Sequence, residues 1–192
     1  METTQYLASS EYIDWKDENV LAKAKSLAEG LSDDADIAKA CFEFVRDQVN
    51  HSLDYKQNPI TCKASDVLKE STGYCYAKSH LLAALLRANN IPAGLCYQRL
   101  TITDVPPFCL HGLNAVYLKQ HGWYRIDARG NKPGVAAEFC PPLEKLAFPI
   151  LTTGEANLAD IGAEPLSVVT ETLTGWTTYQ EILGNLPDIE WG

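Results

Sequence analysis

The sequence predicts an α+β protein, with helices through its first half and antiparallel strands after them. Three observations carry this. Apolar residues recur at helical spacing up to about residue 50. The stretch GYCYAKSHLLAALLRANNIPAG, residues 73–94, is apolar on most sides of a helix, which marks a central, buried one. After Pro92 the pattern changes to strand-like runs, two of them joined by QHG.

Val20, Leu21, Ala24, Leu27, Ala28 and Leu31 place an amphipathic helix over about 17–30, with Gly30 near its end. Ser32 is the expected cap of a second helix, whose first turn holds Asp33, Asp34 and Asp36. Its apolar face reads as Ile37, Cys41, Phe44, Val45 and Val49. Residues 51–63 read as a loop, punctuated by QNP. ASDVLKE, 64–70, is a short helix with Ser65 as expected cap, broken by STG. The central helix covers about 75–89 and ends at NNIP, because Pro92 cannot continue it.

Strands follow at 93–102, 112–119 and 123–128. The loop 120–122 predicts a hairpin with Gly122 in the left-handed conformation, pairing Lys119 with Trp123 and Ala115 with Asp127. Residues 131–192 are rich in Pro and Gly up to about 165, with weak helical patterns around 165–173 and 176–184. The expectation is one domain over 1–192, with a core at about 32–130 and a C-terminal extension packing on it.

The net charge of −9 is unevenly spread. Residues 1–40 carry nine acids and four bases, 131–192 nine acids and two bases, and 41–130 seven acids and ten bases. No run of Lys or Arg occurs, which argues against nucleic acid or an anionic membrane as partner. The first twenty residues show neither a basic n-region nor an apolar h-region, and no stretch is long enough to span a bilayer. A cytoplasmic location is expected. Six cysteines (41, 62, 75, 96, 109 and 140) occur without a CxxC pair, which weakens zinc and disulfide readings alike.

One of these cysteines has a distinctive setting. Cys75 follows a glycine by two residues and opens the central helix. A thiol attacks as thiolate, and the unpaired amides of a helix's first turn favour an anion there. Cys41 and Cys96 fall inside their elements and lack this setting. The plain alternative for Cys75 is a small buried core residue.

A nucleophilic thiol needs a base, and there are four histidines. His80 lies five residues along the same helix, turned away from Cys75. His51 closes the second helix, where a cation suits the dipole. His121 sits in the hairpin turn, in solvent. His111, just before a strand and next to Gly112, is the candidate base; otherwise it is a strand-end histidine on a backbone carbonyl. Asp127, unexpected in an apolar strand, is the candidate orienter; otherwise it pairs with Arg125 or Arg129. The expected register separates His111 and Asp127 by roughly 13 Å along the strand, so spacing alone does not join them.

GYCYAKSHLLAALLRANNIPAG, HGLNAVYL and GWYRIDARGNK together resemble the core of the transglutaminase-like superfamily, related to papain-type cysteine proteases. The flanks resemble a bacterial branch. The resemblance implies Cys75 as nucleophile, His111 as base and Asp127 as orienter, and a papain/transglutaminase-like fold. It implies a thiol enzyme acting on an amide of a peptide or protein through a thioester. Hydrolysis is the favoured outcome, with transamidation or a non-catalytic peptide-binding module as alternatives. Leu113 and Ala128 depart from the family's usual aromatic and Thr/Pro, which bears on substrate rather than on the triad. Nothing matches the calcium sites of animal transglutaminases or the paired CxxC of peptide N-glycanases, so no metal or cofactor is expected. The Cys75 amide is the expected first oxyanion donor, with Gln57 and Asn58 as candidates for the second.

Overall fold

A computed structural model describes residues 3–189. Its helical half comprises α1 (Glu18–Leu27), α2 (Asp34–Gln48), α3 (Ser52–Tyr55), α4 (Ala64–Glu70) and α5 (Cys75–Ala88). Two short strands, β1 (Asn50–His51) and β2 (Thr72–Gly73), pair in parallel beside α3 and α4. The sheet follows with β3 (Ala93–Thr101), β4 (Phe108–Leu118) and β5 (Gly122–Ile126). A small hairpin, β6 (Glu138–Cys140) and β7 (Leu143–Lys145), precedes β8 (Ala156–Asn157). Helices α6 (Ser167–Gly175) and α7 (Tyr179–Gly184) close the described chain.

The main sheet is antiparallel in the order β5-β4-β3-β8. Helix α5 lies between this sheet and the helices α1, α2 and α4. That position explains its composition: Leu81, Leu82, Leu85 and Leu86 all have no exposed surface. Each such leucine contributes roughly 1.5–3 kcal/mol by leaving water, so packing on both sides outweighs the small propensity differences along the helix. Arg87, also buried, is accommodated because its guanidinium donates to the carbonyls of Ala8, Ala93 and Ala163.

Local chemistry moved several expected boundaries. Asp33, not Ser32, caps α2, its carboxylate accepting from the Ala35 amide. The inward face of α2 is Ala38, Cys41, Phe42 and Val45, so Phe42 takes the deep position assigned to Phe44. Ser65 lies inside α4 and does not cap it; its amide and hydroxyl are both bound to the Asp14 carboxylate. The segment 51–63, read as loop, begins with β1 and α3. Strand β4 starts four residues earlier than the pattern indicated, so His111 stands inside the strand and not before it.

The β4–β5 hairpin also has a shifted register. Leu118 pairs with Gly122 and Tyr117 with Trp123, making 119–121 the loop. Gly122, at φ +70°, is indeed left-handed, but it is a paired strand residue. Continued by one step past Asn114 and Ile126, this register sets Asp127 opposite Leu113. His111 is then a diagonal neighbour on the same face, within reach of a long side chain.

Candidate active site

Cys75 is the first residue of α5, and Tyr74 before it offers no side-chain cap to the first-turn amides. The chain enters the helix through β2, held in place by β1. Gly73 is needed for packing at this entry: a Cβ there would stand 3.1 Å from Thr61 Oγ1 and 3.2 Å from Ala77 Cβ. Thr61 and Ala77 thus fill the space beside this glycine.

Strand β4 crosses this helix end at close range. A Cβ on Gly112 would stand 3.0 Å from the Cα of Tyr76, so only glycine lets the strand approach. In this position the Gly112 amide donates to Cys75 Sγ at 3.4 Å. The Tyr76 hydroxyl donates to the Leu110 carbonyl and ties helix to strand on the other side of His111.

His111 Nε2–H donates to Asp127 Oδ2 at 2.8 Å. The three side chains are almost fully withdrawn from solvent: Cys75 is 7%, His111 5% and Asp127 1% exposed. Burial opposes charge on the imidazole, yet Asp127 and the adjacent Cys75 raise its pKa to about 10. Burial pushes the Asp127 carboxyl up, but the charge and hydrogen bond of His111, with the amides of Ala147 and Arg129, bring it below its usual range. The guanidinium groups go elsewhere, Arg125 to Glu144 and Arg129 to Asp54. The alternative in which Asp127 serves an arginine side chain is therefore not what the molecule contains.

The other histidines have other places. His80 is buried, with Nδ1 against the Cys62 carbonyl at 2.8 Å, and burial lowers its pKa to about 4. His121 is exposed in the turn. His51 departs from the expectation: it is no helix-end cation but a buried strand residue. Burial, then the nearby charges of Arg129 and Lys78, hold its pKa well below the ordinary value. Burial likewise sends the thiols of Cys41, Cys62 and Cys96 up to about 12.

Of the two oxyanion-donor candidates, Asn58 is engaged at its carbonyl, which accepts from the Tyr179 amide at 2.8 Å. Gln57 has a buried Oε1 without a partner. Neither forms a contact with Cys75 among the described hydrogen bonds. Sequence reasoning missed Gly112, whose role depends on a helix–strand approach, and Ala147 and Phe148, which lie in the tail. The Phe148 ring meets His111 edge-on with centroids 5.0 Å apart, and the Ala147 amide holds Asp127 at 3.1 Å.

A cysteine leading a buried helix, against an antiparallel sheet carrying a His–Asp pair, defines the architectural class. The chain belongs to the transglutaminase-like superfamily, whose model matches residues 22–128. This is in general a family of thiol enzymes. The fold is similar to that of a candidate cysteine protease from Cytophaga hutchinsonii, at TM-score 0.54 and 22% identity over 66% of this chain and 42% of that one. It is also similar to the periplasmic domain of TgpA from Pseudomonas aeruginosa, at TM-score 0.50 and 15% identity over 67% of this chain and 48% of that one. The match thus spans less than half the length of either. No curated protein matches the sequence.

Proposed function

We propose that the protein is a thiol-dependent amide hydrolase acting on a peptide or protein, with Cys75 as nucleophile, His111 as general acid–base and Asp127 as orienter. The observation that carries this reading is the 2.8 Å His111–Asp127 bond beside a helix-leading thiol. Asp127 occupies Nε2, which leaves Nδ1 for the thiol proton. Cys75 Sγ attacks the amide carbon and the carbonyl π pair moves to oxygen, giving a tetrahedral oxyanion. The Cys75 amide, at the uncapped helix start, is its donor; a donor of this kind is worth about 2.7–4 kcal/mol. As the C–N bond breaks, His111 protonates the departing amine and a thioester remains on Cys75. His111 then takes a proton from water, which attacks the thioester and releases a carboxylic acid and the thiol.

The test is a peptide-library hydrolysis assay on wild type, Cys75→Ala and Cys75→Ser, combined with mass spectrometry of quenched reactions. The expected result is turnover and a covalent acyl adduct on Cys75 in wild type, and neither in the variants. Equal turnover in Cys75→Ala would remove the nucleophile assignment. An amine-dependent product without hydrolysis would replace hydrolysis with transamidation.

A further inference from the structure

A second polar cluster lies beside the proposed thiol site. Lys78 sits on α5 one turn after Cys75 and is only 1% exposed. Its ammonium donates to the Val49 carbonyl at 2.5 Å, and no carboxylate among the described residues forms an ion pair with it. It lines a cavity of about 350 Å³ bounded by the end of α2, α3 and residues 130–132. A buried cation without an anion is costly unless something supplies the missing charge.

His51 lines the same cavity and is 6% exposed. Its Nδ1 is buried without a hydrogen-bond partner, and the Asp54 carboxylate is too far to serve, at 3.8 Å. Asp54 is already taken by Arg129 at 2.8 Å and Lys132 at 2.7 Å. Arg46 holds Asp47 at 2.7 Å. Among the residues that line the cavity, three basic side chains, Arg46, Lys78 and Lys132, thus face two carboxylates, Asp47 and Asp54, an excess of one positive charge when Lys78 is protonated. Gly130, at φ +113°, faces Lys78; a Cβ there would stand 3.4 Å from the ammonium and narrow the space over it.

We propose that this cavity binds a phosphate group, held by Lys78 Nζ and His51 Nδ1–H on the inner wall and by Lys132 at the mouth. An anion meets this excess, and three separate point donors suit the several oxygens of a phosphate group better than the two of a carboxylate. The inner donors are point donors set deep, and Lys132, 42% exposed, lines the same cavity. Burial and the Arg129 charge lower the Lys78 pKa to about 7, a state that a bound anion would reverse. The ligand is free phosphate or a small phosphomonoester; both present the same group to the same donors.

The test is calorimetric titration of the full chain with inorganic phosphate, at ionic strength fixed with sodium chloride. The expected result is saturable binding at one site. Lys132→Ala and His51→Gln, checked for fold by circular dichroism, should each weaken it by about tenfold, the loss of one charge-assisted bond. Lys78→Met should abolish it, and if that variant fails to fold the other two still decide. Glycerol 3-phosphate run in parallel identifies the source: tighter binding of the ester or of the free ion supports the site and names its ligand. Absence of saturable binding in wild type, affinity unchanged in both Lys132→Ala and His51→Gln, or acetate binding as tightly as phosphate would overturn the assignment.

Discussion

Gly112 joins two requirements at one position, since the missing side chain admits the helix and the amide meets the thiol. Gly112→Ala would press a methyl group on the Tyr76 backbone, which cannot swing aside as a side-chain tip can. The expected result is a stability loss of about 1–3 kcal/mol by chemical denaturation, typical of overpacking. Turnover per folded molecule should fall as well, because the start of α5 carries Sγ. Asp127→Asn tests a different link. The amide group keeps the shape but cannot favour the imidazolium, so turnover should fall by about three to four orders of magnitude. A variant that loses stability yet keeps its rate per folded molecule would make Asp127 a structural residue. Cys75 and its helix were legible from the sequence because the long apolar run that the cysteine opens is a local property. The neighbours of His111 were not, because Gly112 matters only through what crosses it.

Among the elements, the β4–β5 hairpin shows where local reading stops. Both strands and the left-handed Gly122 were legible from alternation and turn chemistry. The register was two residues off, because a loop of 119–121 and one of 120–122 fit the same letters. That slip of two keeps every side chain on its face. It therefore left the inward pattern right while misplacing Asp127 along the strand. In the tail the Pro- and Gly-rich stretch up to about 165 was the least legible, since it gives no periodicity, whereas the helical patterns around 165–173 and 176–184 are present as α6 and α7. Yet the end of that tail borders the site: the Tyr74 hydroxyl donates to the Tyr179 carbonyl, and the Leu110 amide donates to the Pro187 carbonyl. Arg99 fixes this segment through a two-pronged contact with Asp188 at 2.6 and 2.7 Å. Arg99→Ala should release it. The expected outcome is faster hydrogen exchange at the Leu110 amide and faster alkylation of Cys75 by iodoacetamide, with α5 exchange unchanged. Equal labelling rates in both proteins would show that residues 187–189 do not restrict access to the thiol.

Across the whole molecule, the buried titratable groups oppose one another over one pH range. His111 holds its proton more tightly folded than unfolded, so its contribution is complete below about pH 6.5 and lost as pH rises through about 10. Lys78 acts in the other direction. Burial, then the Arg129 charge, takes its pKa from 10.5 to about 7, so its penalty is full below about 7 and gone above 10.5. Between about pH 7 and 8 one group loses what the other regains and stability should change little; above about pH 9 the buried thiols of Cys41, Cys62 and Cys96, raised to about 12, ionise first in the unfolded chain and stability should fall. On the acid side nothing offsets His80, lowered to about 4, or His51, lowered with it. Their unfolded forms take up protons first, so stability should fall as pH drops from 6.5 toward 4. Urea-unfolding midpoints in phosphate-free buffers would measure all three limbs. Wild type should be nearly level from pH 7 to 8, Lys78→Met should decline across that span, and His111→Gln should climb. A Lys78→Met profile parallel to that of wild type would mean that the folded lysine keeps its ordinary affinity for the proton, with a counter-charge already beside it.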